Sequence, residues 1–110
     1  MPAHGWTISG RYFAVRARPS ELPIARLGII AARRGIRRAV DRNTCKRIAR
    51  ESFREHKEIL RGVDVVVVCR VAVSGNVRVD AHRELAGLLT ALSEDKKRRP
   101  TLRNGSSEQR

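Results

Sequence analysis

Basic side chains recur at intervals of four residues between positions 39 and 61, together with one asparagine. The set comprises Arg42, Asn43, Lys46, Arg47, Arg50 and Arg54. Residues four apart lie on one face of a helix, so the spacing predicts a helix with a basic stripe. Guanidinium groups bind phosphates through planar, paired hydrogen bonds, which makes a phosphate backbone a suitable partner for this stripe.

Four more arginines stand directly before this stretch, around Gly35, and they predict a basic connection: Arg33, Arg34, Arg37 and Arg38. The chain of 110 residues has 20 arginines, 4 lysines and a net charge of +13. Such a charge predicts a polyanionic partner. Nucleic acid is favoured over an acidic membrane, because the helix lacks the exposed tryptophan or leucine anchors of an interfacial helix.

A plainer interpretation is that the stripe is a solvent-exposed charged face, stabilised by ion pairs within the helix and without a binding partner. Glu51 could pair with Arg47 or Arg54 on the same helix. Basic residues nevertheless outnumber acidic ones here, with 15 against 5 between positions 11 and 62. Unpaired positive charge therefore remains for a partner.

Catalytic and metal-binding patterns are missing from the sequence. The three histidines are scattered, no carboxylate pair has the spacing of a metal-bound nuclease site, and no Walker loop is present. We therefore expect no catalytic residue, no bound metal or cofactor and no small-molecule substrate. Cys45 and Cys69 lack metal-ligand spacing and are expected to be reduced core thiols. No apolar run approaches the length of a membrane span, so a cytoplasmic protein without a membrane partner is expected.

The hydrophobic pattern predicts an α/β sandwich, with one sheet and helices packed on it. Strands are expected at residues 11–17, 27–32 and 63–71, and helices at 39–61 and 80–92. The strand at 63–71 is almost continuously apolar, which predicts burial on both faces. The helical core stripe includes Cys45, Ile48 and Phe53. Residues 1–92 are expected to form a single domain, and residues 93–110 a basic disordered tail.

The stretch ARLGIIAARRGIRRAVDRNTCKRIARESFR, residues 25–54, resembles the protein component of bacterial ribonuclease P. The family has a glycine-containing strand, a basic connection and then a helix with an RNR-x-KR-x-x-RE-x-FR motif. The matching positions are Arg42-Asn43, Lys46-Arg47, Arg50-Glu51 and Phe53-Arg54. Thr44 stands where the family motif has an arginine. A basic helix that usually precedes the family's first strand is also missing, which indicates a shortened, truncated or misassigned start.

The resemblance implies a fold like the second domain of ribosomal protein S5, with a left-handed βαβ crossover. It also implies a small protein subunit of a ribozyme that cleaves the 5′ leader from precursor tRNA. Catalysis and Mg²⁺ would belong to the RNA subunit. The stripe and the basic connection would contact ribonuclease P RNA, and a cleft would hold the leader. Strand alternation separates Tyr12 and Arg16 from Phe13, and we assign the first two to the cleft and Phe13 to the core.

Two other functions remain open from the sequence. A general RNA-binding or ribosomal protein of the same fold would bind RNA without affecting tRNA cleavage. A DNA-binding regulator could place the basic helix in a major groove, although no helix-turn-helix pair precedes that helix. Affinities for precursor tRNA, mature tRNA and duplex DNA would separate the three functions.

Overall fold

The computed structural model describes residues 5–73 and 75–98, with the side chains of residues 96–98 excepted. The strands are β1 (Trp6–Ser9), β2 (Phe13–Pro19), β3 (Arg26–Ile30) and β4 (Val63–Cys69). The helices are α1 (Ala39–His56) and α2 (Val77–Arg98). These strands form one sheet in the order β1-β2-β4-β3, which confirms the predicted α/β sandwich.

β4 is the strand that joins the two halves of the sheet. It pairs antiparallel with β2, with Val67 opposite Val15, and parallel with β3, with Val66 opposite Gly28. Parallel neighbours cannot be joined by a tight turn, so the chain crosses over between them. α1 provides that crossover. The left-handedness of the crossover stays a prediction.

The helices cover only one face of this sheet. Along β4, Val63, Val65 and Val67 are buried in a cluster with core residues of α1 and α2, while the alternate residues Val66 and Val68 are half-buried. The expectation that β4 is buried on both faces is therefore wrong. The continuous hydrophobicity of β4 could not show whether one face or both faces are buried. Valines occupy the core-facing and the open-facing positions alike.

The observed strands differ from the predicted ones at their ends. β1 was not predicted, since four residues are too few to establish a period, and its pairing with β2 defines it. β2 lies two residues later than expected and ends at Pro19, the residue expected to follow the strand. β3 is an edge strand with intermediate burial rather than a largely buried one. Edge pairing leaves one side of its backbone without a neighbouring strand.

The helices also differ in length from the sequence-based expectation. α1 ends at His56 rather than near residue 61, and turns lead to Gly62, whose φ is +82°. α2 continues to Arg98, so the predicted domain end at residue 92 is six residues too early. Ser93 is buried and donates a hydrogen bond from its Oγ to the carbonyl oxygen of Ile59 at 3.3 Å. The rest of the predicted tail, residues 99–110, lies outside the described residues.

The core contains most of the residues that the helical period predicted, but Phe53 and Ile59 are exceptions, and Ile59 is exposed. Cys45 and Ile48 are buried in the cluster, whereas Phe53 is half-buried at its margin. Cys45 and Cys69 are free thiols within the core, as expected. Desolvation raises the pKa of Cys69 to about 12, so this thiol stays protonated and unreactive near neutral pH.

Replacing Phe13 by alanine should destabilise the fold strongly. Phe13 is 0% exposed, and its loss leaves a cavity between the sheet and the helices. A buried phenylalanine truncated to alanine costs about 3–5 kcal/mol of unfolding free energy. Urea denaturation would measure this cost. Ile24→Ala is the control, because Ile24 is 54% exposed and should change stability by about 0.5 kcal/mol or less. Equal effects of the two substitutions would contradict the assigned core.

Candidate nucleic-acid interface

The basic stripe of α1 is directed away from the core. Asn43, Arg47, Arg50 and Arg54 are exposed, and Lys46 is half-buried. Among the described residues, none of the three arginines forms an ion pair or a side-chain hydrogen bond.

Glu51, the acidic residue expected to pair with the stripe, does not neutralise it. Glu51 Oε1 lies 3.6 Å from His82 Nε2 on α2 rather than pairing with Arg47 or Arg54. The plainer interpretation, a surface neutralised by pairs within the helix, therefore lacks its expected partners. Positive charge on the stripe is left available for a polyanion.

Arg42 differs from the other stripe residues, because it is half-buried and engaged with the backbone. Its Nη1 donates hydrogen bonds to the carbonyl oxygens of Ile36 at 2.9 Å and Arg37 at 2.8 Å. Both carbonyls belong to the segment of residues 33–38, which we call the basic loop. Arg42 thereby ties the basic loop to the first turns of α1.

The basic loop is fixed at further points. Ile36 is 1% exposed and inserts into the core, and its amide donates to the carbonyl oxygen of Ala32 at 3.1 Å. A Cβ on Gly35 would lie only 3.1 Å from the carbonyl oxygen of Arg70, a tight contact that would require the backbone of Arg70 to shift by a few tenths of an ångström. The arginines of the loop are exposed around this anchor, and Arg38 contacts Asp41 at 4.0 Å. A rigid loop therefore presents four guanidinium groups.

Arg70 connects the basic loop to the turn between β1 and β2. Its backbone abuts Gly35, its amide donates to the carbonyl oxygen of Tyr12 at 2.9 Å, and its Nη1 donates to the carbonyl oxygen of Gly10 at 2.8 Å. Tyr12 is half-buried, and the guanidinium carbon of Arg11 lies 5.9 Å from its ring centroid. Tyr12 thus belongs to the same end of the molecule as the basic loop.

Glu84 of α2 holds the same turn from the other side. Its carboxylate accepts hydrogen bonds from the amides of Arg11 at 2.7 Å, Tyr12 at 2.8 Å and Phe13 at 3.0 Å. Charge-assisted bonds of this kind are about twice as strong as neutral ones. Sequence reasoning missed Arg70 and Glu84, since isolated polar residues carry no periodic signal.

Arg16 lies elsewhere, on the face of the sheet that the helices leave open. It is exposed between the buried Val15 and Ala17, and it lines a groove of about 950 Å³. We call this cavity the open-face groove; its lining includes Arg16, Arg18, Arg26, Gly28, Asp64 and Val66. Phe13 lies in the core and Arg16 on the opposite face, as strand alternation predicted. The structure does not bring Arg16 to the stripe of α1, because α1 packs on the other face.

Asp64 organises one end of the open-face groove. Its carboxylate accepts hydrogen bonds from Arg26 Nε at 2.8 Å and Nη2 at 2.7 Å, and it lies 3.9 Å from Arg18 Nε. The hydrogen bond from Arg26 is the main reason that the pKa of Asp64 falls below its usual value. One carboxylate thus orients two of the three arginines in the groove, which keeps an excess of positive charge.

The family model for ribonuclease P matches residues 2–93. This chain belongs to the ribonuclease P protein family. It is 39% identical over 88 residues to the ribonuclease P protein component of Chromohalobacter salexigens, covering 80% of this chain and 69% of the relative. It is 42% identical over 74 residues to that of Acinetobacter baylyi, covering 67% of this chain and 56% of the relative.

Solved ribonuclease P proteins share the fold. The Staphylococcus aureus protein matches with a TM-score of 0.70 and 28% identity, covering 80% of this chain and 81% of that one. The Thermotoga maritima protein matches with a TM-score of 0.60 and 28% identity, covering 83% of each chain. These matches confirm the resemblance that the helix motif indicated.

Thr44 occupies the motif position at which the ribonuclease P family has an arginine. Its Oγ1 donates to the carbonyl oxygen of Val40 at 3.0 Å, within α1. Its hydroxyl therefore serves the helix itself rather than reaching outward as an arginine would. The contact that an arginine would make from this position is therefore absent or supplied by another residue.

Neither a metal cluster nor a membrane span is found in the described part of this ribonuclease P protein. No three histidine, cysteine, aspartate or glutamate residues are grouped so that they could hold a metal ion. Within the same residues, no helix is both long and apolar enough to cross a membrane.

Removing the guanidinium of Arg42 should destabilise the protein, whereas removing Arg50 should not. Arg42→Ala leaves two backbone carbonyls without their donor, and hydrogen bonds of this kind contribute about 1 kcal/mol each or somewhat more. Arg50→Ala changes an exposed residue and should lie within about 0.5 kcal/mol of the wild type. Thermal or urea unfolding of both variants would measure the difference. Equal stabilities would show that Arg42 does not brace the basic loop.

Asp64→Asn should make stability less sensitive to acid. A carboxylate whose folded pKa is depressed contributes stability above its unfolded pKa, and this contribution disappears as the pH falls through the folded value. The wild type should therefore lose more stability than the variant between about pH 5 and pH 2. Urea titrations at several pH values would test this. Asp80→Asn is the control, since Asp80 and its partner Arg83 are both more than half exposed.

Proposed function

We propose that this chain, as the protein component of ribonuclease P, binds the catalytic RNA through α1 and the basic loop and helps to hold the 5′ leader of precursor tRNA. The observation that supports this most directly is the surface formed by the stripe and the loop. In the described structure Arg47, Arg50 and Arg54 of this surface have no ion pair, and all three occupy positions of the family motif.

The chemistry of this surface suits a folded RNA. Exposed guanidinium groups on α1 and on the basic loop can meet phosphates on successive turns of a backbone. The loop is already fixed by Ile36 and Arg42, so little conformational entropy is lost when RNA binds. Phosphate contacts position the RNA without reading its sequence.

The leader would contact Tyr12 and Arg16. Glu84 and Arg70 fix the backbone at Tyr12, which supports a ring that a base can stack on. Stacking of this kind contributes about 1–3 kcal/mol per base and tolerates any sequence. Arg16 lies in the open-face groove, farther along β2, where it could meet a leader phosphate. A path from the basic end to the groove would follow β2.

Catalysis and Mg²⁺ belong, in this proposal, to the RNA subunit. The described side chains do not group into a metal site, so they do not fit a resident Mg²⁺ ion. The protein then binds and positions RNA, and neither a small molecule nor a membrane is among the proposed partners. A cytoplasmic location is part of the same proposal.

Reconstitution with a bacterial ribonuclease P RNA would test this function. The protein alone should not cleave precursor tRNA, and adding it to the RNA should permit 5′ cleavage at a lower Mg²⁺ concentration. RNA binding without any effect on cleavage would instead indicate a general RNA-binding or ribosomal protein. Preference for duplex DNA would indicate a DNA-binding regulator. Metal-dependent cleavage by the RNA-free protein would contradict the proposal.

The binding surface can be located in the same system. In the triple variant Lys46→Ala, Arg47→Ala and Arg50→Ala, affinity for the catalytic RNA should fall with little change in stability. Its salt dependence should weaken by roughly 0.7–0.9 in logarithmic slope for each phosphate that the variant no longer neutralises. Arg78→Ala on the exposed start of α2 is the matched control. An unchanged slope in the triple variant would place the RNA elsewhere.

A further inference from the structure

Two carboxylates follow the stripe of α1 closely enough in the chain to neutralise it. Residues three or four positions apart are neighbours on the surface of a helix. By this spacing Glu51 is a neighbour of both Arg47 and Arg54. Glu58, in the turns that follow α1, comes four residues after Arg54. Pairing within this segment would cancel much of the charge that an RNA backbone could use.

Both carboxylates contact basic side chains outside the stripe instead. Glu51 Oε1 lies 3.6 Å from His82 Nε2 on α2. Glu58 Oε1 lies 3.8 Å from Arg61 Nη1. Arg61 is itself tied to the loop before β3, because its Nε donates a hydrogen bond to the carbonyl oxygen of Pro23 at 3.1 Å. The described structure thus directs both carboxylates away from the arginines that precede them in the chain.

His82 is held in place by the packing of α2. Ala81 before it and Leu85 one turn later are both 0% exposed, so this part of the helix is fixed against the core. The side chains of His82 and Glu51 are about half exposed, at 45% and 46%. Such partial burial screens their attraction less than full exposure would. The contact therefore joins two packed helices rather than two freely moving side chains.

We propose that His82 holds Glu51 away from Arg47 and Arg54 and so keeps their guanidinium groups available to RNA phosphates. The inference rests on the proposed role of the stripe in binding RNA. Carboxylates and phosphates bind guanidinium groups through the same paired hydrogen bonds, so a neighbouring carboxylate competes with a phosphate. A protonated imidazole attracts Glu51 and weakens this competition. His82 is thus a positioning residue that acts on RNA binding through Glu51.

The variants His82→Ala and Glu51→Gln and their combination test the inference. Both side chains are half exposed, so all three variants should remain folded, which urea unfolding would check. Hydrogen exchange of the Nε–H groups of Arg47 and Arg54, followed by NMR at about pH 6, is the first readout, since histidines commonly carry a charge there. Exchange at one or both groups should slow severalfold in His82→Ala, because the released Glu51 accepts their hydrogen bonds. It should return to the wild-type rate in the double variant. Unchanged exchange in His82→Ala would overturn the inference.

Affinity for the catalytic RNA and its salt dependence are the second readout. His82→Ala should weaken binding by about 2- to 5-fold at about 0.1 M salt and lower the logarithmic salt slope by up to about 0.9, because a neutralised guanidinium gives up a phosphate contact. Glu51→Gln should bind at least as tightly as the wild type. Adding His82→Ala to Glu51→Gln should then have no further effect. An equal loss with and without Glu51→Gln would show that His82 acts independently of Glu51 and would overturn the inference.

Arg83→Ala is the matched control. Arg83 follows His82 on α2, its side chain is 77% exposed, and its Nη1 lies 3.6 Å from Asp80 Oδ1 on the same helix. Its removal deletes a full positive charge but releases no carboxylate of α1. Any effect of Arg83→Ala on RNA affinity should therefore be the same with and without Glu51→Gln. A dependence on Glu51 as large as that of His82→Ala would indicate a general effect of charge and would overturn the inference.

Reconstituted ribonuclease P separates this inference from the proposed function. If the variants behave as expected but the wild type does not assist precursor-tRNA cleavage, the role of His82 stands and the proposed function fails. If the wild type assists cleavage while His82→Ala binds the catalytic RNA as tightly as the wild type, the proposed function stands and the inference is overturned.

Discussion

The parallel pairing of β3 with β4 is the constraint on which the arrangement of this protein depends. Two parallel neighbours require a crossover, so the chain leaves β3, forms the basic loop and returns through α1 before β4 begins. The loop therefore lies at the carboxyl ends of β3 and β4. Since β2 runs antiparallel to β4, its first residues lie at that end as well. Topology alone thus brings Tyr12 to the basic loop.

Polar contacts convert this proximity into a rigid surface. Arg42 holds the carbonyls of the loop, Glu84 holds the amides of the β1–β2 turn, and Arg70 touches both segments. Each of these side chains uses its charge within the fold. All of these contacts join a charged side chain to backbone groups, so they hold the chain without neutralising the exposed arginines of the basic loop.

The two faces of the sheet differ in the side chains that they carry. The face beneath α1 and α2 carries the buried alternate residues of β2 and β4, and it supplies the core. The opposite face carries three arginines and one carboxylate, which line the open-face groove: Arg16, Arg18, Arg26 and Asp64. A sheet covered on one side can change its open face with little effect on folding, because the stabilising contacts lie on the other side.

The sequence alone determined the class of fold, the helix with its basic stripe and the family. Those features are periodic or contiguous: the stripe repeats every four residues, and the motif from Arg42 to Arg54 is read directly along the chain. Burial of Cys45 and Ile48 followed from the same period. Local patterns of this kind need no knowledge of distant residues.

Tertiary structure decided the features that depend on residues far apart in the chain. The four-residue β1 is defined by its register with β2, and α2 continues past residue 92 with Ser93 buried against the rest of the fold. The sequence also could not predict that Arg42 binds carbonyls of the basic loop. Its position on the stripe is the same whether its side chain faces solvent or a loop. Whether one or both faces of β4 are covered depends on where the helices pack. The hydrophobic pattern of a strand shows how apolar each of its two faces is, but it does not show which elements pack against those faces.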